Sequence, residues 1–317
     1  MKIVLWAEAS QRYSSILTAR TLPEGARVIP VTSEEEAMAH VDSAEVLICW
    51  GAAYPGPFIR AARSLRLIQS MGVGVEGLLE AGAAASPVPL ANARGGNSAP
   101  IAEHVMALIL AFARCLHISI RNQAAHTWDP RVSRGVEIAG QTLGILGLGS
   151  IGLDTARRAR AMGMRVISVE RAGRERPPEV DQLVADKLAL AAQSDYLLVA
   201  TPLTPETQRL VDEAVLDAMK PGAYLINISR GPVMDTAAVV AALRAGRLGG
   251  AAMDVHDKQP LTGQEPVFDA PNLLLTPHVA GITATSMRAM SEGAVATVLA
   301  LLRGERPANV VNPEVFR

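Results

Sequence analysis

Three glycines near the middle of the chain have the spacing of a phosphate-binding loop. Gly147, Gly149 and Gly152 stand in G-x-G-x-x-G order within TLGILGLGSIG, directly after an apolar run that predicts a strand. The first glycine of such a loop allows a tight turn, the second lets the backbone approach a pyrophosphate, and the third permits close helix–strand packing. Residues 153–162 are typical of the helix that follows, whose N-terminal amides bind anions. The pattern predicts a dinucleotide site, with a purely structural turn as the alternative.

An acidic residue follows where a ribose contact is expected. The next predicted strand, RVISVE, ends at Glu170, 18 residues after Gly152. An acid there binds the adenosine ribose hydroxyls, and its charge opposes a 2′-phosphate, which favours NAD over NADP. Arg171, Arg174 and Arg176 come next. Opposite charges about 4 Å apart interact by about 4 kcal/mol at an effective dielectric near 20, so a basic neighbour can offset Glu170. We expect NAD and leave NADP open.

Short apolar runs alternate with longer alanine-rich stretches along almost the whole chain. The runs that predict strands lie at residues 2–6, 27–31, 45–49, 65–69, 142–147, 165–170, 195–200, 223–227, 249–254 and 272–276. Alternating strands and helices indicate βαβ units and parallel sheets. Ten strands are many for one such sheet, so we predict two sheets. A Gly-, Pro- and Asn-rich stretch at 87–100 precedes a predicted long, buried helix at 101–116, and a further helix is predicted at 286–303.

Composition excludes several other classes of protein. The 317 residues are 49% hydrophobic, which indicates a well-buried core, and 30 basic against 31 acidic side chains leave no basic excess for nucleic acid or an anionic membrane. The only cysteines are Cys49 and Cys115, so neither a disulfide framework nor a cysteine-based zinc site is expected. Glu8 interrupts the N-terminal apolar run, and uncharged stretches fall short of the ~20 residues of a membrane span. We expect a cytoplasmic protein without a metal site.

Six segments together resemble one enzyme family. They are SAPIAEH (98–104), GLGSIG (147–152), ATPLTPET (200–207), INISRGPVMD (226–235), AAMDVHDKQPL (251–261) and LLLTPHVAGIT (273–283). In order and spacing they resemble the D-isomer-specific 2-hydroxyacid dehydrogenases, which include glyoxylate/hydroxypyruvate reductases and phosphoglycerate dehydrogenase. The resemblance runs from about residue 45 to the end. It implies an NAD(P)-dependent oxidoreductase that interconverts a small 2-oxo acid and its D-2-hydroxy acid by hydride transfer.

The resemblance also implies roles for individual residues. Arg230, in the N-x-x-R-G segment, would bind the substrate carboxylate and carbonyl with its fork of donors. His278, in T-P-H, would give a proton to the carbonyl during reduction and take it back during oxidation. The backbone amides of Val73 and Gly74 would hold the substrate carboxylate. Asn97 resembles the substrate-holding asparagine of the formate dehydrogenases, which are relatives of this family. Each has an ordinary alternative when taken alone, as a solvated side chain, a turn or a packed core histidine.

The cofactor site implied by the resemblance extends beyond the glycine loop. Asp254 is expected near the nicotinamide carboxamide, and capping of a loop is its alternative role. The residues expected to contact the cofactor are Gly147, Gly149, Ser150, Ile151, Glu170, Arg171, Thr201, Pro202, Ile228, Arg230, Asp254, His278 and Gly281. His256 stands where the family commonly has an aromatic residue, and the sequence assigns it no role.

One position departs from the family pattern. Most members carry a glutamate directly before the proline that follows the D-V segment, and that glutamate pairs with the histidine; here the position is Gln259. A glutamate would favour imidazolium and raise the pKa of the histidine, whereas glutamine orients the ring without adding charge. We therefore count Gln259 with Arg230 and His278 as catalytic, and we expect reduction of a 2-oxo acid to favour acidic conditions.

Two other functions stay open. The formate dehydrogenases, relatives of this family, also carry a Gln–His pair, since hydride transfer from formate needs no proton transfer at the substrate. Some relatives are corepressors that sense NAD, and a non-catalytic sensor is the second alternative. The absence of a basic excess counts against a transcriptional role.

The family's architecture would give two Rossmann-like α/β domains of parallel sheets, one flavodoxin-like and one dinucleotide-binding, with a cleft between them. Residues 1–96 and 284–317 would form the substrate (catalytic) domain, and residues 97–283 the NAD-binding Rossmann domain. The resemblance also implies a homodimer. The predicted helix at 101–116 is a candidate for its interface, with burial inside one subunit as the alternative. The expected partner is a small 2-oxo or 2-hydroxy acid, with neither nucleic acid nor membrane.

Overall fold

Two parallel β-sheets organise the chain. A computed structural model describes residues 1–6, 25–49, 56–83, 86–132, 134–170, 173 and 175–316. One unit, the five-stranded unit, comprises Met1–Asn97 and Thr283–Arg317, and the other, the seven-stranded unit, comprises Ser98–Ile282. The sequence predicted bounds of 1–96, 97–283 and 284–317. Each internal bound differs by one residue from the bounds of the two units.

The five-stranded unit begins the chain. Its strands are β1 (Lys2–Trp6), β2 (Arg27–Val31), β3 (Val46–Cys49), β4 (Leu67–Ser70) and β5 (Leu90–Ala91), and its first helices are α1 (Glu34–Met38), α2 (Gly56–Ala61) and α3 (Glu76–Glu80). The strands are all parallel, in the order β2-β1-β3-β4-β5. This is the order of flavodoxin-like sheets.

The seven-stranded unit repeats the alternation on a larger scale. Its strands are β6 (Thr142–Leu146), β7 (Arg165–Val169), β8 (Gln182–Val184), β9 (Tyr196–Val199), β10 (Tyr224–Asn227), β11 (Gly250–Met253) and β12 (Leu273–Leu275). Its helices are α4 (Ser98–Ala113), α5 (Leu116–Ala124), α6 (Ser150–Ala161), α7 (Lys187–Gln193), α8 (Glu213–Ala218) and α9 (Thr236–Arg244). The last helix of the chain, α10 (Ala284–Leu302), returns to the five-stranded unit.

The second sheet has the dinucleotide-binding topology. All its strand pairs are parallel, in the order β12-β11-β10-β9-β6-β7-β8. Numbered within the unit, the order is 3-2-1-4-5-6 with one more strand at the far edge, which is the doubly wound order of dinucleotide-binding domains. Strands such as VLIC and YLLV are buried along their whole length, as expected where helices cover both faces of a parallel sheet. The prediction of two α/β domains, each built on a parallel sheet, is confirmed.

The structure corrects the sequence prediction in two places. The strands β5 and β8, of two and three residues, were not predicted. The helix predicted at 101–116 is two helices, because Cys115 adopts a left-handed conformation, φ +52°, between α4 and α5. The N–H of Val136 donates to the carbonyl oxygen of Ala113 (2.7 Å), and a Cβ on Gly135 would stand 2.5 Å from the same oxygen. A distant segment therefore closes the end of α4.

Among the described residues no single helix is both long and apolar enough to cross a membrane. Helices α4 and α5 taken together have the length and composition of a span, but the chain bends by 72° between them.

Candidate active site

The glycine loop joins β6 to α6 in the conformation that its motif requires. Gly147 has φ +106°, and a Cβ there would stand 2.7 Å from the carbonyl oxygen of Ala200. A Cβ on Gly152 would lie 2.2 Å from the carbonyl oxygen of Gly147, so the helix packs directly onto the loop. At Gly149 a Cβ would meet nothing within 4 Å. The first and third glycines therefore have no room for a side chain, whereas the second has free space beside it.

This loop lies where the strand order of the sheet reverses. Strand β6 pairs with β7 on one side and β9 on the other, so the loops after β6 and β9 leave the sheet side by side. Open α/β sheets bind ligands at such a point. The hydroxyl of Thr201, directly after β9, is buried and has no hydrogen-bond partner among the described residues. A buried hydroxyl calls for a partner, so both this group and the open Gly149 fit a bound dinucleotide.

The acid predicted for the ribose lies at the carboxyl end of β7. Glu170 is exposed, and its N–H donates to the carbonyl oxygen of Val184 (2.8 Å). The end of the second strand is where dinucleotide-binding domains present this acid. Arg171 and Arg174 lie outside the described residues, and Nη1 of Arg176 donates to the carbonyl oxygen of Val180.

We expect the substitution Gly149→Ala to weaken NADH binding by about tenfold or more, a loss of about 1.4 kcal/mol. The backbone there has φ −82° and ψ −168°, which alanine adopts, and no protein atom lies within 4 Å of the new methyl group. The methyl group instead fills space that the pyrophosphate needs. Fluorescence titration with NADH measures the loss, and the unfolding temperature should not change. Gly293→Ala in α10, where a Cβ also meets nothing, is the control; equal NADH affinity in the two variants would contradict the assignment.

A tight turn after β10 fixes Arg230. Oδ1 of the fully buried Asn227 accepts from the N–H and the hydroxyl of Ser229 (both 3.0 Å), and its Nδ2 donates to the carbonyl oxygen of Arg230 (3.1 Å). Nη1 of Arg230 donates to the carbonyl oxygen of Ser229 (2.6 Å). A Cβ on Gly231 would stand 2.2 Å from the carbonyl carbon of His256. The turn therefore rests directly on the segment that follows β11.

Residues 276–280, which we call the histidine turn, are held by one buried carboxylate. Oδ1 of Asp254 accepts from the hydroxyl of Thr276 (2.6 Å) and the N–H of Val279 (2.9 Å), and Oδ2 accepts from the N–H of Ala280 (3.0 Å). Between them His278 has φ +56°, a left-handed conformation that costs a non-glycine residue of order 1–3 kcal/mol. Asp254 is only 2% exposed. Its contacts are those of the loop-capping role that the sequence left open.

The structure brings Gln259 and His278 together. Nδ1 of His278 lies 2.9 Å from Oε1 of Gln259, and Nε2 of Gln259 donates to the carbonyl oxygen of His256 (3.3 Å). Because that carbonyl can only accept, the amide must present its oxygen to the ring. Nδ1 of His278 therefore carries the hydrogen, and Nε2 is the ring atom that can take up or give a proton.

The loop that follows Gln259 is braced by a second carboxylate. Glu265 accepts from the N–H and the hydroxyl of Thr262 (both 2.9 Å at Oε1) and from the N–H of Gly263 (3.0 Å). The N–H of Thr262 is the main reason that the pKa of Glu265 is lowered to about 2. This carboxylate is thus ionised at any ordinary pH and keeps the loop closed.

Three neighbouring strands carry the candidate catalytic residues. Arg230 follows β10, Gln259 follows β11 and His278 follows β12, and these strands are adjacent in the sheet. The glycine loop follows β6, which only β9 separates from β10. Since carboxyl ends of parallel strands meet at one edge, all these groups lie along the same edge of the seven-stranded sheet. Among the described residues no three His, Cys, Asp or Glu side chains are grouped to hold a metal ion.

The residues predicted to hold the substrate carboxylate lie in the five-stranded unit. Directly after β4, Oγ of Ser70 accepts from the N–H of Gly72 (3.1 Å) and lies within hydrogen-bond distance of the carbonyl oxygens of Gly72 and Gly74. Nδ2 of Asn92 donates to the carbonyl oxygen of Val73 (2.8 Å). Side chains of the same unit therefore fix the shape of this loop.

The structure also places the remaining residues that the sequence predicted for the site. Asn97 is the last residue of the five-stranded unit before α4. Ser150 and Ile151 form the first turn of α6, and Ile228 is buried, only 7% exposed, behind the turn of Arg230. Pro202 is exposed after Thr201, and Gly281 directly follows the histidine turn.

Sequence reasoning missed Asn227, Thr276 and His104. Nε2 of His104, in α4, lies 3.3 Å from the hydroxyl of Thr276. The available signal was a histidine in a largely apolar helix, within a segment interpreted only as a family motif. Asn227 and Thr276 lie in the motifs of Arg230 and His278, and that position is the signal that could have found them.

Known proteins of one enzyme family are similar to this chain. Residues 106–280 match the family model for the NAD binding domain of D-isomer specific 2-hydroxyacid dehydrogenases. The chain is 32% identical over 295 residues to the glyoxylate reductase of Thermofilum pendens, covering 90% of this chain and 86% of that one. It is 31% identical over 282 residues to the D-3-phosphoglycerate dehydrogenase of Archaeoglobus fulgidus, covering 88% of this chain. It spans only about half, 54%, of that relative's length.

A solved structure extends the likeness to both units. The NADPH-dependent glyoxylate/hydroxypyruvate reductase of Sinorhizobium meliloti, in complex with NADP and malonate, matches with a TM-score of 0.84 at 28% sequence identity. The match covers 98% of this chain and 96% of that chain.

Proposed function

The chain belongs to the D-isomer-specific 2-hydroxyacid dehydrogenases, NAD(P)-dependent oxidoreductases, and on that premise we propose that it interconverts a small 2-oxo acid and its D-2-hydroxy acid. The observation that carries the proposal is that Arg230 and His278 follow strands β10 and β12 at the same edge of the sheet as the glycine loop. A bound NADH would supply the hydride. Oxidation of NADH in the presence of glyoxylate, hydroxypyruvate, pyruvate or phenylpyruvate tests the proposal.

The chain's own groups would supply binding and proton transfer. We assign Arg230 to the substrate carboxylate and carbonyl oxygen, because its planar fork of donors suits such a pair. Nε2 of His278 gives a proton to the carbonyl oxygen during reduction and removes it during oxidation. Gln259 keeps the ring in the Nδ1–H tautomer for both directions. The backbone amides of Val73 and Gly74, together with Asn97, are assigned to the substrate carboxylate.

We assign the substrate (catalytic) role to residues 1–96 and 284–317, and cofactor binding to residues 97–283. NAD is the better fit for the cofactor, because Glu170 at the end of β7 opposes a 2′-phosphate. The relative from Sinorhizobium meliloti uses NADPH, so both cofactors belong in the assay. The buried hydroxyl of Thr201 and the open Gly149 support a dinucleotide of either kind.

We further propose a cytoplasmic homodimer. Apolar side chains are exposed on and after α5: Leu116 (49%), Ile120 (65%), Trp128 (94%) and Val136 (51%). Such side chains are suited to burial against a second copy of the chain. Both cysteines are free thiols, which suits a reducing compartment. Sedimentation at micromolar concentration tests the dimer.

Formate oxidation is the second candidate function, and the glutamine at 259 favours it. Formate needs no proton transfer at the substrate, so an uncharged partner for the histidine suffices. NADH formation from formate and NAD, without reduction of any 2-oxo acid, would support this candidate. A sensor would bind NADH tightly and turn over neither.

We expect Gln259→Glu to extend 2-oxo acid reduction to higher pH. Reduction needs protonated His278 and is lost as pH rises through the pKa of the ring. A carboxylate at Oε1, 2.9 Å from Nδ1, would raise that pKa, so the falling limb of the pH–rate profile should move up by about 1–3 units. Lys258→Gln makes the same change in net charge on the neighbouring exposed residue and is the matched control. A limb that stays in place in Gln259→Glu would refute the role of the pair.

A further inference from the structure

Three of the six histidines in the chain meet at one residue, Thr276. Its hydroxyl lies 3.3 Å from Nε2 of His104 and donates to Oδ1 of Asp254 (2.6 Å). Its carbonyl oxygen accepts from the backbone N–H of His278 (3.0 Å) and lies 3.3 Å from Nε2 of His256. Every polar atom of Thr276 is engaged, since its N–H donates to the carbonyl oxygen of Met253 (3.0 Å).

These contacts determine which ring nitrogens carry hydrogen. A backbone carbonyl only accepts, so Nε2 of His256 must be the donor to Thr276. The single hydroxyl hydrogen of Thr276 is used for the carboxylate of Asp254. Nε2 of His104 must therefore also be a donor, to the oxygen of that hydroxyl. Both rings are thus set with the hydrogen on Nε2, whereas His278 carries it on Nδ1.

The imidazole ring of His256 makes its hydrogen bond to the histidine turn. The residue is 8% exposed, and among the described residues its buried Nδ1 has no hydrogen-bond partner. The one hydrogen bond of its ring goes to the same carbonyl oxygen that binds the N–H of His278. Its own carbonyl oxygen accepts from Nε2 of Gln259 (3.3 Å), the bond that orients the amide toward His278.

We propose that His256 is a positioning residue that fixes the ring of His278 from two sides, through the Thr276 carbonyl oxygen and through the Gln259 amide. His104 supports the same turn through the Thr276 hydroxyl. The inference rests on the proposed function, because it assigns these residues to the proton transfer at His278. Left-handed backbone at His278 persists only where its surroundings determine it, and the hydrogen bond from its N–H to the Thr276 carbonyl oxygen is one of the contacts that hold it.

The test compares His256→Phe with His256→Gln. Phenylalanine keeps a planar ring and loses only the Nε2–H donor, while the Nδ1 side has no described polar partner to lose. Glutamine places an N–H near the position of Nε2 and should restore the bond. His117→Phe is the matched control, because His117 is equally buried (8% exposed) and its Nδ1 contacts the carbonyl oxygen of Ala111, outside the histidine turn.

The first readout does not depend on activity. Long-range ¹H–¹⁵N spectra of histidine-labelled protein should show Nε2–H tautomers for His104 and His256 and an Nδ1–H tautomer for His278. In His256→Phe the His278 signals should shift or broaden, and in His256→Gln and His117→Phe they should match the wild type. Unchanged His278 signals in a folded His256→Phe variant, or an Nδ1–H tautomer at His256, would overturn the proposal.

The second readout is kinetic. In His256→Phe we expect kcat for 2-oxo acid reduction to fall about ten- to hundredfold, the scale of a misplaced reacting group, with NADH affinity unchanged. His256→Gln should recover most of the loss. Equal kcat in wild type and His256→Phe would overturn the positioning role. If the wild type reduced no 2-oxo acid but the His278 signals still changed in His256→Phe, only the proposed function would be refuted.

Discussion

His278→Ala is expected to lower kcat for 2-oxo acid reduction by about 10²- to 10⁴-fold, the usual contribution of a positioned general acid. Addition of the hydride to the carbonyl carbon leaves an alkoxide on the carbonyl oxygen unless a proton arrives there, and Nε2 of His278 is the group assigned to deliver that proton. Affinity for NADH should change little. Stopped-flow measurement of NADH oxidation, with NADH binding followed separately by fluorescence, gives both quantities.

Added imidazole is the control for this variant. A small imidazole that enters the space left by the side chain should restore part of the activity of His278→Ala and leave the wild type unaffected. If His278→Ala kept wild-type kcat at neutral pH, the histidine would be no acid, and formate-like hydride transfer without a proton would become the better account.

Arg230→Ala is expected to lower kcat/KM for the 2-oxo acid by about 10²- to 10⁴-fold. Two charge-assisted hydrogen bonds to the substrate, each contributing about 1.5–3 kcal/mol, account for that range. Arg230→Lys should fall between the wild type and the alanine variant, because it keeps the charge and loses the fork. Steady-state kinetics over a range of substrate concentrations separates the rise in KM from the fall in kcat.

An arginine of another turn is the control for this prediction. Arg209 is exposed, 68% at the side chain, and pairs with Asp235. An exposed ion pair contributes about 0–1 kcal/mol to stability, so Arg209→Ala should leave kcat/KM unchanged. Equal losses in the two variants would mean that the effect at Arg230 is general destabilisation rather than substrate binding.

Most of the fold could be read from the sequence because its strands are buried on both faces. A run such as VLIC is apolar at every position, and a strand of this kind stands out from its surroundings. Strand β5 has only two residues, which are too few to show any periodicity in the sequence. The break at Cys115 was hidden for another reason, since the groups that close α4 lie at Gly135 and Val136, far along the chain.

Some features of the candidate site could be predicted from the sequence and others could not. Arg230, Gln259 and His278 were recognisable by motif, and the Gln259–His278 hydrogen bond follows from their predicted pairing. The contacts of Asp254 with the N–H groups of Val279 and Ala280 were not predictable in that detail, because they depend on how two strand ends meet. Nothing in the sequence indicates that His256 donates to a backbone carbonyl oxygen, since a histidine after a strand has no fixed role.

The most direct test of the account follows the hydride itself. The wild type is given hydroxypyruvate and NADH deuterated at the transferred position, and the glycerate formed is examined for deuterium and chirality. We expect one deuterium at C2 and the D enantiomer alone. Glycerate of the L configuration, or C2 without deuterium, would contradict it.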